Sequence, residues 1–182
     1  FAYHLVNYIF SKNEDSKYNI NDYEINSDNR SYNLIINNTH PNFHLIDLND
    51  DKKVIEISQI REMINYANKS TFNNKERIVL IDNAEYLNVN SSNALLKIIE
   101  EPNDNVFFIL VFDNNNRIKD TLKSRCLKFN FYLSFNECLE STNKIIKGNL
   151  YDIISSDLIY HYNTIGDFIN LINFSNSAKL NI

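Results

Sequence analysis

The segment Arg77-Ile78-Val79-Leu80-Ile81-Asp82-Asn83-Ala84-Glu85 decides the fold class of this chain. Its apolar run, 78–81, is rich in β-branched residues and contains no charged residue. A continuous run of this kind is typical of a strand that is buried on both faces within a parallel sheet. The segment therefore predicts a central strand over 77–81 that ends at the acidic residue Asp82.

The regions around this strand alternate between strand and helix patterns. The predicted strands are 43–48, 77–81, 106–112 and 127–132, and the predicted helices are 1–10, 55–68, 93–101 and 117–123. Ser91 and Ser92 are the predicted cap of the third helix. Residues 11–38 are polar and rich in Asn, which predicts a loop with a short strand at 34–36. Alternating strands and helices predict an α/β fold with a parallel sheet and right-handed crossovers.

After residue 133 the pattern changes to helices alone. Ser134-Phe135-Asn136-Glu137 has the spacing of a capping box, and 150–162 and 164–174 are further amphipathic stretches. We therefore expect two domains, an α/β core at 1–133 and a small all-helical lid at 134–182. Because the chain opens at Phe1 without an initiator Met, we also expect the core to be truncated at its N-terminus.

Charge and composition exclude several classes of protein. The net charge of −5 argues against a module that grips nucleic-acid phosphates across its whole surface, because that binding needs clustered Lys and Arg. No apolar run approaches the roughly 20 residues of a membrane span. The two cysteines, Cys126 and Cys138, form no CxxC pair and predict neither a zinc site nor a disulfide scaffold. These features favour a cytoplasmic protein with no membrane contact.

The tetrad Asp82-Asn83-Ala84-Glu85 suggests chemistry at the end of the central strand. An apolar strand that ends in Asp can place that carboxylate beside a Mg²⁺-bound triphosphate, where a following Glu polarises the attacking water. Here the following residue is Asn83, and a neutral amide cannot accept a proton. The alternative is a strand exit followed by a polar turn, and the tetrad alone favours that alternative.

For the other candidate residues, a structural role is a better explanation than metal binding or catalysis. His40 and His44 lie four residues apart, but Pro41 argues against a helix that would align them as metal ligands. Glu100 and Glu101 are adjacent, so on a helix they point about 100° apart, and a solvated helix end explains them better than paired catalytic acids. Cys126 at a strand entrance is more often a small buried apolar residue than a reactive thiol.

Several motifs occur together over 40–129 in a fixed order. They are His40-Pro41-Asn42-Phe43-His44, Ile57-Ser58-Gln59-Ile60-Arg61, the strand exit at Asp82, Asn93-Ala94-Leu95-Leu96-Lys97-Ile98-Ile99-Glu100-Glu101-Pro102 and Ser124-Arg125-Cys126. This order resembles the clamp-loader branch of the AAA+ ATPases, in particular the delta-prime-type subunits of bacterial DNA polymerase III. The resemblance implies an AAA+ P-loop-NTPase-like parallel sheet with flanking helices, followed by the helical lid.

The resemblance also implies roles for individual residues. Asp82 matches the Walker-B aspartate, and Asn83 stands where an active ATPase carries its glutamate. The sensor-1 position falls at Phe112 or Asp113, and the motif does not decide between the two. Arg125 matches the arginine that in clamp loaders reaches into the ATP site of the neighbouring subunit. A planar guanidinium suits that role because it holds charge and two donors in register with phosphate oxygens.

The chain departs from the family in two ways. It contains no Gly-x-x-x-x-Gly-Lys-Ser/Thr loop, although residues 1–10 resemble the helix that follows one. Residues 11–39 contain no cysteine, whereas many relatives carry a zinc-binding cluster there, so zinc is not expected. We expect no cofactor within this stretch, with ATP and Mg²⁺ bound by the longer protein or at the neighbouring subunit.

The resemblance implies a non-hydrolysing module without catalysis of its own that supplies Arg125 to a gamma/tau-type neighbour. The expected partners are gamma/tau-type and delta-type subunits, and through the complex a sliding clamp and primer-template DNA. Two alternatives stay open. One is an ATP-hydrolysing gamma/tau-like motor whose P-loop lies outside this sequence, and the other is an architectural scaffold with no part in ATP chemistry.

Overall fold

The computed structural model describes residues 1–49, 52–69, 75–113, 116, 118–161 and 164–178. The chain divides into two compact units, Phe1–Lys128 and Phe129–Ile182. The first unit contains α1 (Ala2–Phe10), α2 (Arg30–Ile36), β1 (Phe43–Ile46), α3 (Ile57–Ala67), β2 (Arg77–Ile81), α4 (Val89–Glu100), β3 (Val106–Leu110) and α5 (Asp120–Lys123). Short 3₁₀ turns occur at Ser11–Asn13 and Ala84–Tyr86.

The described strands of the first unit form a parallel sheet in the order β1-β2-β3. Phe43 lies opposite Ile78, and Arg77 lies opposite Val106. All five residues of β2 are buried, as the continuous apolar run predicts. The predicted parallel pairing of 77–81 with 106–112 is therefore confirmed, and so is the α/β fold class.

The two faces of β2 carry two separate cores. Val79 and Ile81 face α3, α4 and α5, where the fully buried residues include Ile60, Met63, Leu95 and Leu122. Ile78 and Leu80 face the opposite side and pack with Phe43, with Val6 of α1 and with Ile35 of α2. Successive strand residues point to opposite faces, so one apolar strand holds helices on both sides of the sheet.

The prediction of a short strand at 34–36 was wrong, because these residues belong to α2. The side chain of Asn29 caps this helix by accepting a 2.7 Å hydrogen bond from the backbone N–H of Tyr32. Asn29 is fully buried, and its amide also donates to the carbonyl of Ser16 (2.7 Å). The carboxylate of Glu14 accepts from the N–H groups of Arg30 and Ser31. A local cap from Asn29 and a distant one from Glu14 thus stabilise a helix in a segment without clear periodicity.

The prediction of a fourth strand at 127–132 was also wrong, since none of these residues belongs to a strand in the described chain. Their apolar side chains are exposed, with Leu127 at 87% and Phe129 at 71% of full exposure. An alternating pattern forms a strand only where a neighbouring strand accepts its hydrogen bonds, and no described strand pairs with this stretch.

The predicted cap of α4 was misplaced by several residues. Asn88 is the N-cap and accepts a hydrogen bond from the N–H of Ser91 (2.9 Å). Ser91 and Ser92 lie inside the helix and are buried, and the Ser91 hydroxyl donates to the carbonyl of Ile55 (2.8 Å). The other predicted helices and strands are present with bounds that differ by a few residues; Arg117, predicted to begin α5, lies outside the described residues.

The regular elements described in the second unit are all helical. The unit contains α6 (Phe135–Ile146), a 3₁₀ turn at Leu150–Asp152, α7 (Ser156–Ile159) and α8 (Ile165–Ala178). Ser134 and Glu137 form both hydrogen bonds of the predicted capping box at the start of α6. The core of this unit consists of Cys138, Leu150, Ile154, Ile159 and Phe168. None of the described helices combines the length and apolar character that crossing a membrane requires.

Candidate functional site

The carboxyl ends of the three parallel strands bring a group of acidic and amide side chains together. Asp47 follows β1, Asp82 follows β2, and Asp113 lies three residues beyond β3. The backbone joins these ends: the N–H of Asp82 donates to Ile46 (2.8 Å), and the N–H of Val111 donates to Ile81 (2.9 Å). Ligands of open α/β sheets bind at this edge. Asp82 and Asp113 therefore emerge on the side of the sheet where the motifs predict them.

Asn83 connects two of these strand ends through its side chain. Its amide Nδ2 donates a 2.7 Å hydrogen bond to Oδ1 of Asp47. The backbone of Asn83 is left-handed, with φ 51° and ψ 41°, a conformation that Asn tolerates better than most residues. Asp47 is itself held in place, because its carbonyl accepts a hydrogen bond from Nε2 of Gln59 (2.9 Å). The amide of Asn83 is therefore already engaged within the chain.

Asp82 lies in a setting that disfavours its charge. Burial raises the pKa of this carboxyl above its usual value, and the nearby carboxylates of Asp47 and Glu85 raise it further. The N–H of Asn83 donates to Oδ1 of Asp82 (2.9 Å) and partly offsets the rise. Burial, followed by the charges of Asp82 and Asp47, also raises the pKa of the Tyr3 hydroxyl on α1. The first helix thus places a phenol close to the two aspartates.

Asp113 joins this group through its backbone N–H. Its N–H donates to Oε1 of Glu85 (3.3 Å), and the side-chain amide of Asn116 donates to the same oxygen (3.4 Å). The other oxygen of Glu85, Oε2, is buried and has no hydrogen-bond partner within the described residues. Asp113 itself is exposed. Glu85 therefore ties the end of β3 to the turn that follows β2.

The residues at this edge meet only part of what a hydrolytic nucleotide site requires. Asp82 offers a carboxylate that a nucleotide-bound Mg²⁺ could contact. Residues 1–147 contain no glycine, so this stretch has no glycine-rich phosphate loop. Within the described ranges, no group of three or more His, Cys, Asp or Glu side chains is placed to hold a metal ion. Asn83, which follows Asp82, is a neutral amide and cannot accept a proton.

Arg125 lies apart from this edge. Its Nε donates to Oε1 of Glu100 (2.5 Å), its Nη2 forms an ion pair with the same oxygen, and its Nη1 donates to the carbonyl of Thr121 (2.8 Å). Glu100 ends α4, whose 12 residues run from the carboxyl edge of the sheet back toward the start of β3. A helix of this length spans about 18 Å. Arg125 therefore lies toward the amino edge of the sheet, remote from Asp82.

The neighbouring contacts fix the segment that carries Arg125. At its start, Nζ of Lys119 donates to Oδ1 of Asn93 (3.1 Å) on the first half of α4. In its middle, Leu122 is buried in the core beside α4. At its end, Arg125 contacts Glu100 at the last residue of α4. The segment 119–125 thus lies alongside α4 and presents Arg125 at a defined place on the surface.

Sequence reasoning missed two residues of these sites. Asp47 was placed inside a predicted strand, and Glu100 was explained as a solvated helix end. Glu100 is partly exposed, but it also pairs with Arg125. The available signal for Asp47 was an acid at the end of an apolar strand, the same signal that identified Asp82. No local signal identified Glu100, because its partner lies 25 residues away.

The residues for which the sequence favoured a packing role, His40, His44 and Cys126, are partly buried. His40 stacks on the ring of Phe10 and His44 on the ring of Tyr66, and burial lowers the pKa of both imidazoles. Cys126 is half-buried, and burial raises the pKa of its thiol, which keeps it protonated and poorly nucleophilic.

The chain resembles known proteins over most of its first unit. A family model described as "DNA polymerase III, delta subunit" matches residues 1–134. A DNA polymerase III subunit delta' from Pseudomonas aeruginosa is 32% identical over 95 residues, which are 52% of this chain and 29% of that protein. A DNA polymerase III subunit gamma from Buchnera aphidicola subsp. Schizaphis graminum is 35% identical over 133 residues, which are 70% of this chain and 36% of that protein.

A solved structure is also similar, a DNA polymerase III gamma subunit-related protein from Thermotoga maritima. It has a TM-score of 0.49 and 16% identity, over 71% of this chain and 42% of that chain. The chain spans about a third of the length of the curated relatives above. The family model covers well over half of the chain and agrees with the delta-prime relatives. The chain therefore belongs to the DNA polymerase III delta-prime family, in the clamp-loader branch of the AAA+ ATPases.

Proposed function

We propose that this chain is part of a clamp-loader subunit that does not hydrolyse ATP and that supplies Arg125 to the ATP site of an adjacent subunit. The adjacent subunit is a gamma/tau-type motor, and a delta-type subunit belongs to the same cytoplasmic assembly. The assembly opens a sliding clamp and places it on primer-template DNA. ATP and Mg²⁺ act at the neighbour's site.

One observation carries the non-hydrolysing part of this proposal, the hydrogen bond from Asn83 to Asp47. ATP hydrolysis in this fold needs a group that orients and deprotonates water next to the Walker-B aspartate. Asn83 cannot take a proton, and its amide is engaged by a carboxylate only 2.7 Å away. Asp82 has an elevated pKa, so its environment also opposes the charge that binds Mg²⁺. These features support a site that does not hydrolyse ATP.

The position of Arg125 supports action in trans. An arginine that served the site at Asp82 would have to lie near the carboxyl edge of the sheet. Arg125 lies instead beside the last residue of α4, and its side chain retains 36% of its exposure. A guanidinium supplied to a neighbour's γ-phosphate contributes on the order of 10³ to 10⁵ in rate.

The similarity to gamma subunits favours a second candidate function, an ATP-hydrolysing motor of the gamma/tau type. That function requires a base at position 83, or a neighbouring residue that replaces it. Asp47 and Glu85 are the nearby carboxylates, and both are engaged, by the amide of Asn83 and by the N–H of Asp113 respectively. We therefore rank the non-hydrolysing function first.

The test is Arg125→Ala in the full-length protein, assembled with its partner subunits. We expect normal folding and assembly, because an exposed ion pair contributes about 1 kcal/mol or less to its own domain. We expect the clamp-dependent ATPase rate of the complex to fall at least tenfold, because the lost charge acts on the transition state. Arg125→Lys should restore little, since an ammonium lacks the planar fork. A wild-type rate for Arg125→Ala, with assembly checked by gel filtration, would contradict the proposal.

A further inference from the structure

The guanidinium of Arg125 is held from two sides by groups on different elements. The carboxylate of Glu100 on α4 accepts a hydrogen bond from Nε and forms an ion pair with Nη2, and the carbonyl of Thr121 on α5 accepts from Nη1. A long exposed side chain normally samples many rotamers, so two anchors on separate elements restrict it to few. The local fold therefore determines where this charge lies before any partner is bound.

Glu100 is unfavourably placed for its own helix. It is the last residue of α4, where the helix dipole carries partial negative charge and repels a carboxylate. The last turn also carries one basic residue, Lys97, for which no hydrogen bond or ion pair with Glu100 is described. The contact with Arg125 offsets the repulsion, because it sets a positive charge directly against the carboxylate. The favourable contribution of Glu100 thus lies in its contact with Arg125 rather than in α4.

The contacts leave the guanidinium able to bind a second anion. Arginine has five N–H donors, and the described hydrogen bonds come from Nε to Glu100 and from Nη1 to Thr121. The second N–H of Nη1 reaches only the Ser124 hydroxyl, at the limiting distance of 3.5 Å, and Nη2 forms the ion pair with Glu100. A donor on Nη2 and the weakly bound donor on Nη1 lie on adjacent nitrogens, and such a pair spans two oxygens of a phosphate.

We propose that Glu100 is a positioning residue for Arg125, which holds the guanidinium in the conformer that meets the phosphate of a nucleotide on the adjacent subunit. This proposal rests on the proposed function above. Glu100 touches no nucleotide and acts only through Arg125. Its effect is to immobilise the arginine before the subunits meet, so that less conformational entropy is lost when the transition state forms.

The test uses the assembled complex of full-length subunits and the variant Glu100→Gln. Loss of the carboxylate should lower the kcat of the clamp-dependent ATPase two- to tenfold, the range that corresponds to one immobilised side chain. KM for ATP should change little, since Arg125 acts mainly on the transition state. Glu101→Gln is the matched control, because the adjacent residue has the same chemistry but makes no described contact with Arg125; its kcat should equal that of wild type.

Two further measurements separate positioning from a structural role. In the double variant Glu100→Gln, Arg125→Ala, the rate should equal that of Arg125→Ala alone, because a positioning residue has nothing left to position. In the full-length subunit alone, the ¹⁵Nε–¹Hε signal of Arg125 should shift and lose intensity in Glu100→Gln but not in Glu101→Gln.

The outcomes distinguish this inference from the proposed function. If Arg125→Ala lowers the rate while Glu100→Gln is as fast as wild type or faster, the positioning role is refuted and the trans arginine stands. Additive effects in the double variant refute positioning as well. If Arg125→Ala turns over at the wild-type rate, the proposed function fails and the positioning role fails with it.

Discussion

The side-chain amide of Asn83 donates a 2.7 Å hydrogen bond to the carboxylate of Asp47 and thereby joins the ends of two neighbouring parallel strands. The two residues are 36 positions apart in the sequence. A carboxylate at position 83 would face Asp47 and Asp82. The amide of Asn83 thus makes an attractive contact with Asp47 where a carboxylate would be repelled.

This relationship predicts the effect of Asn83→Asp. The variant keeps the side-chain length and tolerates the left-handed backbone, but it loses the amide donor and sets like charges together. We expect a loss of about 1–3 kcal/mol in the free energy of unfolding at pH 7, measured by urea denaturation. The loss should shrink near pH 4, as the carboxyls take up protons.

The matched control for Asn83→Asp is the exchanged pair, Asn83→Asp with Asp47→Asn. This double variant restores one amide and one carboxylate in the same place, so it should recover most of the lost stability. A double variant as unstable as the sum of the two single variants would mean that the two side chains do not interact.

A second prediction concerns catalysis by the purified chain. We expect no measurable ATPase, and we expect none from Asn83→Glu, because residues 1–147 contain no glycine loop to bind the phosphates. Phosphate release under excess ATP and Mg²⁺ is the measurement. Turnover that persists through a second purification step and is abolished by Asp82→Ala would contradict this expectation.

A third prediction follows from the pKa of Asp82, which is raised above the ordinary value of 3.8 mainly by burial. A raised pKa means that the folded chain binds this proton more tightly than the unfolded chain does. The ionised carboxylate therefore destabilises the fold at pH 7, and this penalty disappears as the pH falls below the unfolded value. Asp82→Asn should raise the urea midpoint at pH 7 and leave it nearly unchanged at pH 3.

The comparison for Asp82→Asn is Asp22→Asn, at an exposed position in the segment before α2. Its urea midpoint should change little at either pH. If Asp82→Asn lowered the midpoint at pH 7, the carboxylate would be stabilising the fold, opposite to the direction given by its pKa.

A fourth prediction concerns Arg77, which is 3% exposed although it opens the central strand. Its Nη1 donates to the carbonyls of Tyr66 and Lys69 at 2.6 Å, and its guanidinium lies over the Tyr66 ring. These carbonyls lie at or just beyond the end of α3, so Arg77→Ala removes a buried charged donor from both, although the carbonyl of Tyr66 also accepts from the N–H of Lys69 (3.2 Å). We expect a loss of about 3 kcal/mol or more in the free energy of unfolding. Arg61→Ala, at an exposed position on α3, should change it by about 0.5 kcal/mol or less.

Local sequence was sufficient for the features that depend on neighbouring residues. The apolar run of β2 predicted a strand buried on both faces, because every one of its side chains must leave water. Ser134 and Glu137 predicted the start of α6, because a capping box closes within a single turn. The identity of residue 83 as an amide was likewise visible, and it alone excludes a catalytic base at that position.

Tertiary structure decided the features whose partners are distant in sequence. Residues 127–132 alternate like a strand but lie exposed, since no described strand pairs with them. The helix Arg30–Ile36 has its first N–H groups bound by Glu14, 16 residues before Arg30, in addition to its own N-cap Asn29. Asn83 meets Asp47, and Arg125 meets Glu100, only once the sheet and its helices have formed. Periodicity indicates which side chains share a face that can be buried. The partner of a polar side chain, in contrast, depends on how the helices and strands pack, and the local sequence does not encode that packing.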